Sequence, residues 1–148
     1  MTIQDQFFAA TYKGALEMQK KFNLPALAVM AQSALETGWG VHAPGNMYFG
    51  IKAGGSWTGE TQELMTKEFV GGKMISVKQT FRKYPNAQAS FEDYARLITG
   101  NARYKAALLY PNDPIKYIIE IRKAGYATDP NYVLKCTSII NDLKKKVV

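Results

Sequence analysis

The sequence contains a single cysteine, Cys136, and a single histidine, His42, among 148 residues. One cysteine excludes an intramolecular disulfide framework, and its apolar helical neighbours indicate a buried thiol. A histidine-based zinc site would need Cys136 and carboxylates as well, and no His-Glu-x-x-His spacing occurs. A serine or cysteine nucleophile would depend on His42 as its base. We therefore expect no metal and no cofactor, which leaves the chemistry to carboxylates.

Long hydrophobic runs are missing too. The longest apolar stretch, residues 24–35, is much shorter than the roughly 20 residues that span a bilayer. The first residues lack the basic start, apolar middle and small-residue cleavage site of a secretory signal. We expect no membrane insertion, and we expect any action outside the cell to need another export route.

Acidic residues are outnumbered by basic ones, 12 against 19, for a formal net charge of +7. Such a surplus predicts attraction to polyanions, which include nucleic acid, acidic lipid surfaces and the anionic bacterial cell wall. The chain has no single basic stripe with interleaved aromatic residues, the pattern that favours nucleic-acid binding. We therefore expect no nucleic-acid partner.

The chain length and the hydrophobic content of 47% fit one globular domain, residues 1–148, which we expect to be a monomer. Hydrophobic periodicity predicts five or six helices. Ser90 and Asp93 resemble a capping box at the start of one helix, and Asp129 before Pro130 is a candidate N-cap of the last. The helices begin near residues 5, 24, 90, 102, 114 and 130.

A period-two pattern from Leu64 to Arg82, divided by Gly71-Gly72, predicts a β-hairpin. A two-residue turn pairs Glu68 with Ile75 and places Glu68 on the more apolar face of the ribbon. A three-residue turn would exchange the two faces, because side chains alternate along a strand. We adopt the two-residue register. Helices with one inserted hairpin predict an α+β domain of two unequal lobes, with the β-lobe at about residues 60–84.

Glu36 stands at the end of an almost wholly apolar helical stretch and just before Gly38, which we expect to end that helix. Unpaired carbonyl groups at a helix C-terminus and apolar surroundings both raise the pKa of a glutamate. A raised pKa suits a general acid near neutral pH. The alternative is that Glu36 projects into solvent at a frayed helix end.

Aromatic residues are frequent in or beside the predicted loops. Their flat rings can stack on the apolar faces of sugars, although each one singly is more often a packing residue. Combined with a candidate acid, they point to carbohydrate cleavage. The set comprises Trp39, Tyr48, Phe49, Trp57, Tyr84 and Tyr126.

The segment Gln32-Ser33-Ala34-Leu35-Glu36-Thr37-Gly38-Trp39-Gly40 resembles the signature of the glucosaminidases of glycoside hydrolase family 73, which cut bacterial peptidoglycan. Further matches follow in the order found in that family and cover most of the chain. They are Phe49-Gly50-Ile51-Lys52, Thr66-Lys67-Glu68-Phe69-Val70, Phe81-Arg82-Lys83-Tyr84, Ser90-Phe91-Glu92-Asp93-Tyr94 and Gly125-Tyr126-Ala127-Thr128-Asp129-Pro130-Asn131-Tyr132.

The resemblance implies a lysozyme-like fold, in which a mainly helical lobe and a small β-lobe flank a substrate groove. It implies that Glu36 is the general acid, Glu68 a second carboxylate on the β-lobe, and Tyr126 a groove tyrosine near the reacting sugar. Glu60 and Glu63 are rivals to Glu68. The residues that we assign to substrate binding are Trp39, Asn46, Phe49, Trp57 and Tyr84. The family usually has an asparagine two residues before the Phe-Gly pair, where this chain has Met47, and Asn46 precedes it.

The implied reaction is hydrolysis of the β-1,4 bond between N-acetylglucosamine and N-acetylmuramic acid in peptidoglycan glycan strands. It would take place at the bacterial cell wall, in the periplasm or outside the cell, after export by another route or release from a phage. Either Glu68 activates a water across a carboxyl separation of about 6.5–9.5 Å or more, or the acetamido group of the substrate attacks. The alternatives are a lysozyme-like muramidase, a lytic transglycosylase, and a non-catalytic wall-binding or tail-assembly module.

Overall fold

The computed structural model describes residues 1–147; Val148, the last residue of the predicted domain, lies outside the described residues. Helices and one antiparallel hairpin build the chain, which confirms the α+β prediction. The α-helices are α1 (Ile3–Phe22), α2 (Ala26–Thr37), α3 (Ala87–Thr99), α4 (Pro114–Lys123) and α5 (Tyr132–Lys144), the 3₁₀ helices are Pro44–Asn46 and Ala102–Leu109, and the strands are β1 (Thr61–Val70) and β2 (Lys73–Arg82).

Helix α2 is the centre of the helical lobe and packs against α1, α4 and α5. It begins at Ala26, two residues later than predicted, because Pro25 is its N-cap in an extended conformation. Gly38 ends it in the left-handed conformation, with φ of 59°, as predicted. Most of its residues are fully buried, so the position of its C-terminus, where Glu36 lies, is fixed by core packing.

Helix α3 corrects one expectation from the sequence. Ser90 and Asp93 do not form its capping box, because the helix starts earlier and Asn86 caps it by accepting a hydrogen bond from Ala89 N. Both side chains are buried and bind distant groups instead. Ser90 Oγ accepts a hydrogen bond from Tyr48 N at 3.2 Å. Long-range partners therefore replace the local cap that the sequence spacing indicated.

Helix α5 holds a second correction, because its N-cap is Asn131 and not Asp129. The Asp129 carboxylate accepts a hydrogen bond from Asn131 N at 2.9 Å and pairs with Lys135 at 2.6 Å. Cys136, on the inner face of α5, is a buried free thiol, and burial raises its pKa to about 11. That environment is unfavourable to a nucleophile, as the sequence indicated.

The hairpin has the predicted two-residue turn. Gly71 and Gly72 have φ of 58° and 80°, and Glu68 lies opposite Ile75. Such positive angles favour glycine and match the right-handed twist of a two-residue hairpin. Glu68 therefore lies on the same face of the ribbon as Leu64 and Thr66, which is the less exposed face of β1.

The root of the hairpin is tied to the loop that follows α2. Arg82 N donates to Ile51 O and Ala53 N donates to Thr80 O, both at 3.0 Å, and Lys52 bridges to Phe81. These contacts bring residues 51–53 alongside β2. Among the described helices, none is long and apolar enough to cross a membrane.

Candidate active site

The turn that follows Glu36 is held in an uncommon backbone conformation. Gly38, Trp39 and Gly40 have φ of 59°, 60° and 83°. A positive φ at a tryptophan persists only where surrounding contacts enforce it. The Thr37 hydroxyl supplies two of these contacts, since it donates to Ser33 O at 2.7 Å and accepts from Gly40 N at 2.8 Å. The end of α2 is thereby made rigid.

Glu36 opens into a cavity of about 530 Å³ between the helical lobe and the root of the hairpin. The cavity is mostly aromatic and apolar and has charged groups at Glu36, Lys52 and Arg82, a lining suited to a ligand with apolar faces and a few polar groups. The lining residues are Glu36, Phe49, Gly50, Ile51, Lys52, Arg82, Tyr94, Leu97, Tyr104, Gly125 and Tyr126.

Glu36 is bound to the groove tyrosine predicted from the sequence. Tyr126 Oη donates a hydrogen bond to Glu36 Oε1 at 2.7 Å, although the two residues are 90 positions apart in the chain. The side chain is accessible from the cavity, but the protein atoms around it desolvate the carboxylate and raise the pKa of Glu36. The hydrogen bonds from Tyr126 and from the Gly50 backbone act in the opposite direction. Glu36 is therefore not a solvated residue at a frayed helix end.

Tyr126 is surrounded by other aromatic rings. Its ring centroid lies 6.1 Å from that of Tyr94, 6.3 Å from that of Tyr104 and 6.4 Å from that of Tyr132. Burial, followed by the nearby charge of Glu36, raises the pKa of Tyr126 well above its ordinary value. The hydroxyl group consequently stays protonated and remains a hydrogen-bond donor at any pH relevant to the folded protein.

A buried amide orders this aromatic cluster from within α2. Gln32, one helical turn before Glu36, accepts a hydrogen bond from Tyr94 Oη and donates one to Tyr132 Oη at 3.0 Å. Tyr94 Oη also lies 2.8 Å from Tyr117 Oη. Since buried polar groups are costly unless they are paired, this network favours one arrangement of the rings that pack on Tyr126.

Glu68 lies at the edge of the site. Its Oε1 is 3.4 Å from Lys52 Nζ and accepts a hydrogen bond from Gln79 Nε2 at 3.2 Å. Lys52 lines the cavity, so Glu68 adjoins the cavity through that lysine. Of its rivals, Glu63 lies on the opposite face of the ribbon and pairs with Lys78 at 3.8 Å. Glu60 lies one residue before β1 and is exposed.

The five residues assigned to substrate binding are placed unequally. Phe49 lines the cavity, but its side chain is buried and stacks on Tyr94 at 4.3 Å. Trp39 packs edge-on against Phe7, at 5.6 Å, and is not among the residues that line the cavity. Asn46 Nδ2 donates to Tyr84 O at 3.0 Å and thereby fastens the loop to the end of the hairpin.

Tyr84 and Trp57 pack against each other at the root of the hairpin, and neither lines the cavity. Tyr84 is 3% exposed and donates to Asp93 Oδ2 at 2.5 Å, so its ring cannot stack on a sugar in this arrangement. Trp57 packs edge-on against Tyr84 and under the Arg82 guanidinium at 4.8 Å. Both aromatic residues anchor the hairpin. Aromatic residues in loops can be packing residues as readily as ligand contacts.

Four polar residues that line the cavity were not among the site residues predicted from the sequence. Lys52, Arg82 and Tyr94 stand within the segments that carry the family resemblance, so those segments were the available signal. Tyr104 had no such signal, because it belongs to a 3₁₀ helix that only the tertiary fold brings to the cavity. Residues 1–147 contain no cluster of three or more histidine, cysteine, aspartate or glutamate side chains suited to a metal ion.

Both a family model and several known proteins match most of this chain. A family model described as mannosyl-glycoprotein endo-beta-N-acetylglucosaminidase matches residues 12–145. The peptidoglycan hydrolase FlgJ of Pseudomonas aeruginosa is 35% identical over 147 residues, which make up 95% of this chain and 37% of that protein. The chain thus spans less than half the length of the curated relatives that it matches most strongly.

Solved structures give the same result. The glycoside hydrolase domain of Salmonella typhimurium FlgJ, in a C-terminally truncated form, superimposes with a TM-score of 0.82 at 36% identity, covering 96% of this chain and 98% of that one. The catalytic domain of the autolysin Auto from Listeria monocytogenes gives a TM-score of 0.84 at 30% identity, covering 97% and 86%. The two-lobe fold implied by the sequence resemblance is confirmed.

Proposed function

The chain belongs to the glucosaminidase family, and from this premise we propose that it hydrolyses the β-1,4 bond between N-acetylglucosamine and N-acetylmuramic acid in peptidoglycan. The observation that carries the proposal is the position of Glu36. Its carboxyl group opens into the cavity between the lobes, binds Tyr126 and has a raised pKa. A single accessible acid in an aromatic cavity suits glycoside cleavage.

In this reaction Glu36 protonates the oxygen of the leaving sugar. Desolvation of the carboxylate raises the pKa of Glu36 and so favours the protonated form that this step needs. The same residue, once ionised, can accept a proton from the water that completes hydrolysis. Glu36 thus serves as acid and then as base.

For the other half of the reaction we favour attack by the acetamido group of the substrate, with retention at the anomeric carbon. Tyr126 shares the cavity with Glu36, and its hydroxyl oxygen, whose proton is donated to Glu36, can accept a hydrogen bond from the N–H of the acetamido group and hold it in position. Glu68 is turned toward Lys52 and Gln79 at the edge of the site. The competing route, in which Glu68 activates water and inverts the anomeric carbon, needs Glu68 to face the reacting sugar.

Analysis of the cleavage products tests the proposed function. Purified peptidoglycan is digested, the new ends are reduced, and the fragments are identified by mass spectrometry. Reduced N-acetylglucosamine ends are expected. Reduced muramic acid ends would instead identify a muramidase, and anhydromuramic ends a lytic transglycosylase.

Replacing Tyr126 by Phe is expected to lower kcat by about tenfold or more, the usual effect of losing one hydrogen bond to a charged group. The Tyr126 hydroxyl stabilises the carboxylate and so lowers the pKa of Glu36. Without it that pKa rises further, and the protonated acid persists to higher pH. The alkaline limb of the kcat profile should therefore move to higher pH.

Tyr104→Phe is the matched control, since Tyr104 lines the same cavity and packs against Tyr126. It should leave the alkaline limb in place. An alkaline limb that moves to lower pH in Tyr126→Phe would contradict the assignment of the hydroxyl as a donor to the Glu36 carboxylate.

Replacing Glu68 by Gln separates the two routes. Substrate assistance predicts that the first-released anomer, observed by proton NMR during digestion, is the retained one and that the variant loses less than about tenfold in kcat. A general base contributes about 10²–10⁴-fold to a rate. If the first-released anomer is inverted and kcat falls by that factor, Glu68 activates water and the acetamido route is refuted.

The setting of the reaction follows from the substrate. We propose that the protein acts at the bacterial cell wall, in the periplasm or outside the cell, as a monomer on glycan strands. The excess of basic over acidic residues favours adsorption to the anionic wall, and the long-range part of this attraction weakens as salt is added.

A further inference from the structure

Two cationic side chains lie in the cavity beside Glu36. Lys52 and Arg82 both line it, and the rest of the wall is aromatic, apolar or glycine. Each pairs with a carboxylate that does not line the cavity, Arg82 with Asp93 and Lys52 with Glu68, so once Glu36 is protonated the charged groups that line the cavity are both cationic. N-acetylglucosamine is neutral and requires no such charge, whereas the lactyl-peptide substituent of N-acetylmuramic acid carries carboxylates.

Arg82 is held in one orientation. Its Nη1 donates to both carboxylate oxygens of Asp93, at 3.2 and 3.0 Å, and its Nε donates to Lys52 O at 3.2 Å. Trp57 covers the guanidinium plane at 4.8 Å. Within residues 1–147 the remaining nitrogen, Nη2, donates no hydrogen bond. A fixed guanidinium with one unused donor is prepared for an oxygen acceptor from outside the chain.

Lys52 is held by fewer contacts. Its side chain is 58% exposed, and its ammonium group lies 3.4 Å from Glu68 Oε1, which Gln79 also binds. Exposed pairs of this kind contribute little to stability. Lys52 can therefore exchange Glu68 for another carboxylate at small cost, and Glu68 keeps its bond to Gln79.

We propose that Lys52 and Arg82 form an anion subsite that binds a carboxylate of the lactyl-peptide substituent of the muramic acid residue next to the cleaved bond. This inference rests on the proposed function and deepens it by adding the basis on which the substrate is recognised. Arg82 supplies a fixed donor, and Lys52 supplies an exposed charge. The subsite distinguishes peptidoglycan from glycans made of neutral sugars alone.

The test compares soluble peptidoglycan fragments with the same fragments after their carboxylates have been converted to amides. The unmodified protein is expected to prefer the carboxylate form by about tenfold in kcat/KM, the usual magnitude for one charge-assisted hydrogen bond. Lys52→Gln should reduce this preference, because only Arg82 then remains to bind the carboxylate, and Lys52→Arg should retain it. Added salt should also reduce it.

Lys78→Gln is the matched control for loss of one positive charge on the hairpin. Lys78 is 64% exposed and pairs with Glu63 on the opposite face of the ribbon. Lys78→Gln should leave the preference for the carboxylate form unchanged. If it reduces the preference as Lys52→Gln does, the effect is one of overall charge and the subsite is refuted.

The remaining outcomes are distinct. If Lys52→Gln lowers kcat/KM equally on both substrates, Lys52 acts through Glu68. If the unmodified protein has the same kcat/KM on both substrates, no anion subsite exists. Either result refutes the inference and leaves the proposed function standing. No cleavage of either substrate refutes the proposed function. In peptide-bearing fragments the lactyl carboxyl group is bound to the peptide as an amide, so the preference measured there belongs to peptide carboxylates. Peptide-free fragments carry a free lactyl carboxylate: a retained preference means that this group can also occupy the subsite, and a lost preference means that only peptide carboxylates bind.

Discussion

Replacing Glu36 by Gln is expected to lower the rate of peptidoglycan hydrolysis by about 10³-fold, within the range that one general acid contributes. The amide keeps the shape of the side chain and can still accept the hydrogen bond from Tyr126 Oη. It carries no proton that can pass to the leaving oxygen. The measurement is the clearance of a wall suspension, with release of reducing ends as a second readout.

The same variant should fold normally. Desolvation raises the pKa of Glu36, so the folded protein binds this proton more tightly than the unfolded chain does. As pH rises above the ordinary range of a glutamate, the folded state therefore loses stability that a glutamine does not lose. Glu36→Gln should be at least as stable as the unmodified protein at neutral pH, and this difference should vanish in acid.

Glu63→Gln is the matched control for the loss of one carboxylate. Glu63 is exposed on the outer face of the hairpin, so its replacement should leave clearance unchanged. If clearance by Glu36→Gln were also unchanged, Glu36 would not be the catalyst. A wall-binding module that retains the fold would then become the better explanation.

Replacing Asp93 by Ala is expected to lower the free energy of unfolding by about 3–5 kcal/mol, because it leaves the guanidinium of a largely buried ion pair unpaired. The Asp93 and Arg82 side chains are 8% and 17% exposed and lie 3.0 Å apart. Tyr84 Oη would lose its acceptor as well. The measurement is urea unfolding, with the midpoint and the slope compared.

The ion pair between Arg82 and Asp93 joins the β-lobe to α3, so its loss should change activity as well as stability. Arg82 lines the cavity, and its release should also lower kcat/KM on peptidoglycan. Glu63→Ala removes an exposed pair of the same hairpin and should change stability by less than about 1 kcal/mol. If Asp93→Ala also lowered the free energy of unfolding by less than about 1 kcal/mol, the contact between Asp93 and Arg82 would not stabilise the hairpin.

Several features could be predicted from local patterns because a few adjacent residues decide them. Gly71-Gly72 permit the positive φ angles of a two-residue turn, and that turn fixes which face carries Glu68. Gly38 ends α2 for a similar reason. The capping box predicted at Ser90 is wrong, although the residues have the spacing of one. Spacing alone does not reveal that a distant group will bind the side chain, as the Tyr48 backbone N–H binds Ser90.

The candidate acid could be found from local sequence alone, because Glu36 lies in the last turn of an apolar helix, just before the glycine that ends it. The surroundings of Glu36 depend on the tertiary structure. It brought Tyr126 to Glu36, placed Lys52 and Arg82 in the cavity, and buried Tyr84 in the hairpin anchor. The physical reason is that these contacts join residues far apart in the chain, and core packing, which has no short-range signature, selects them.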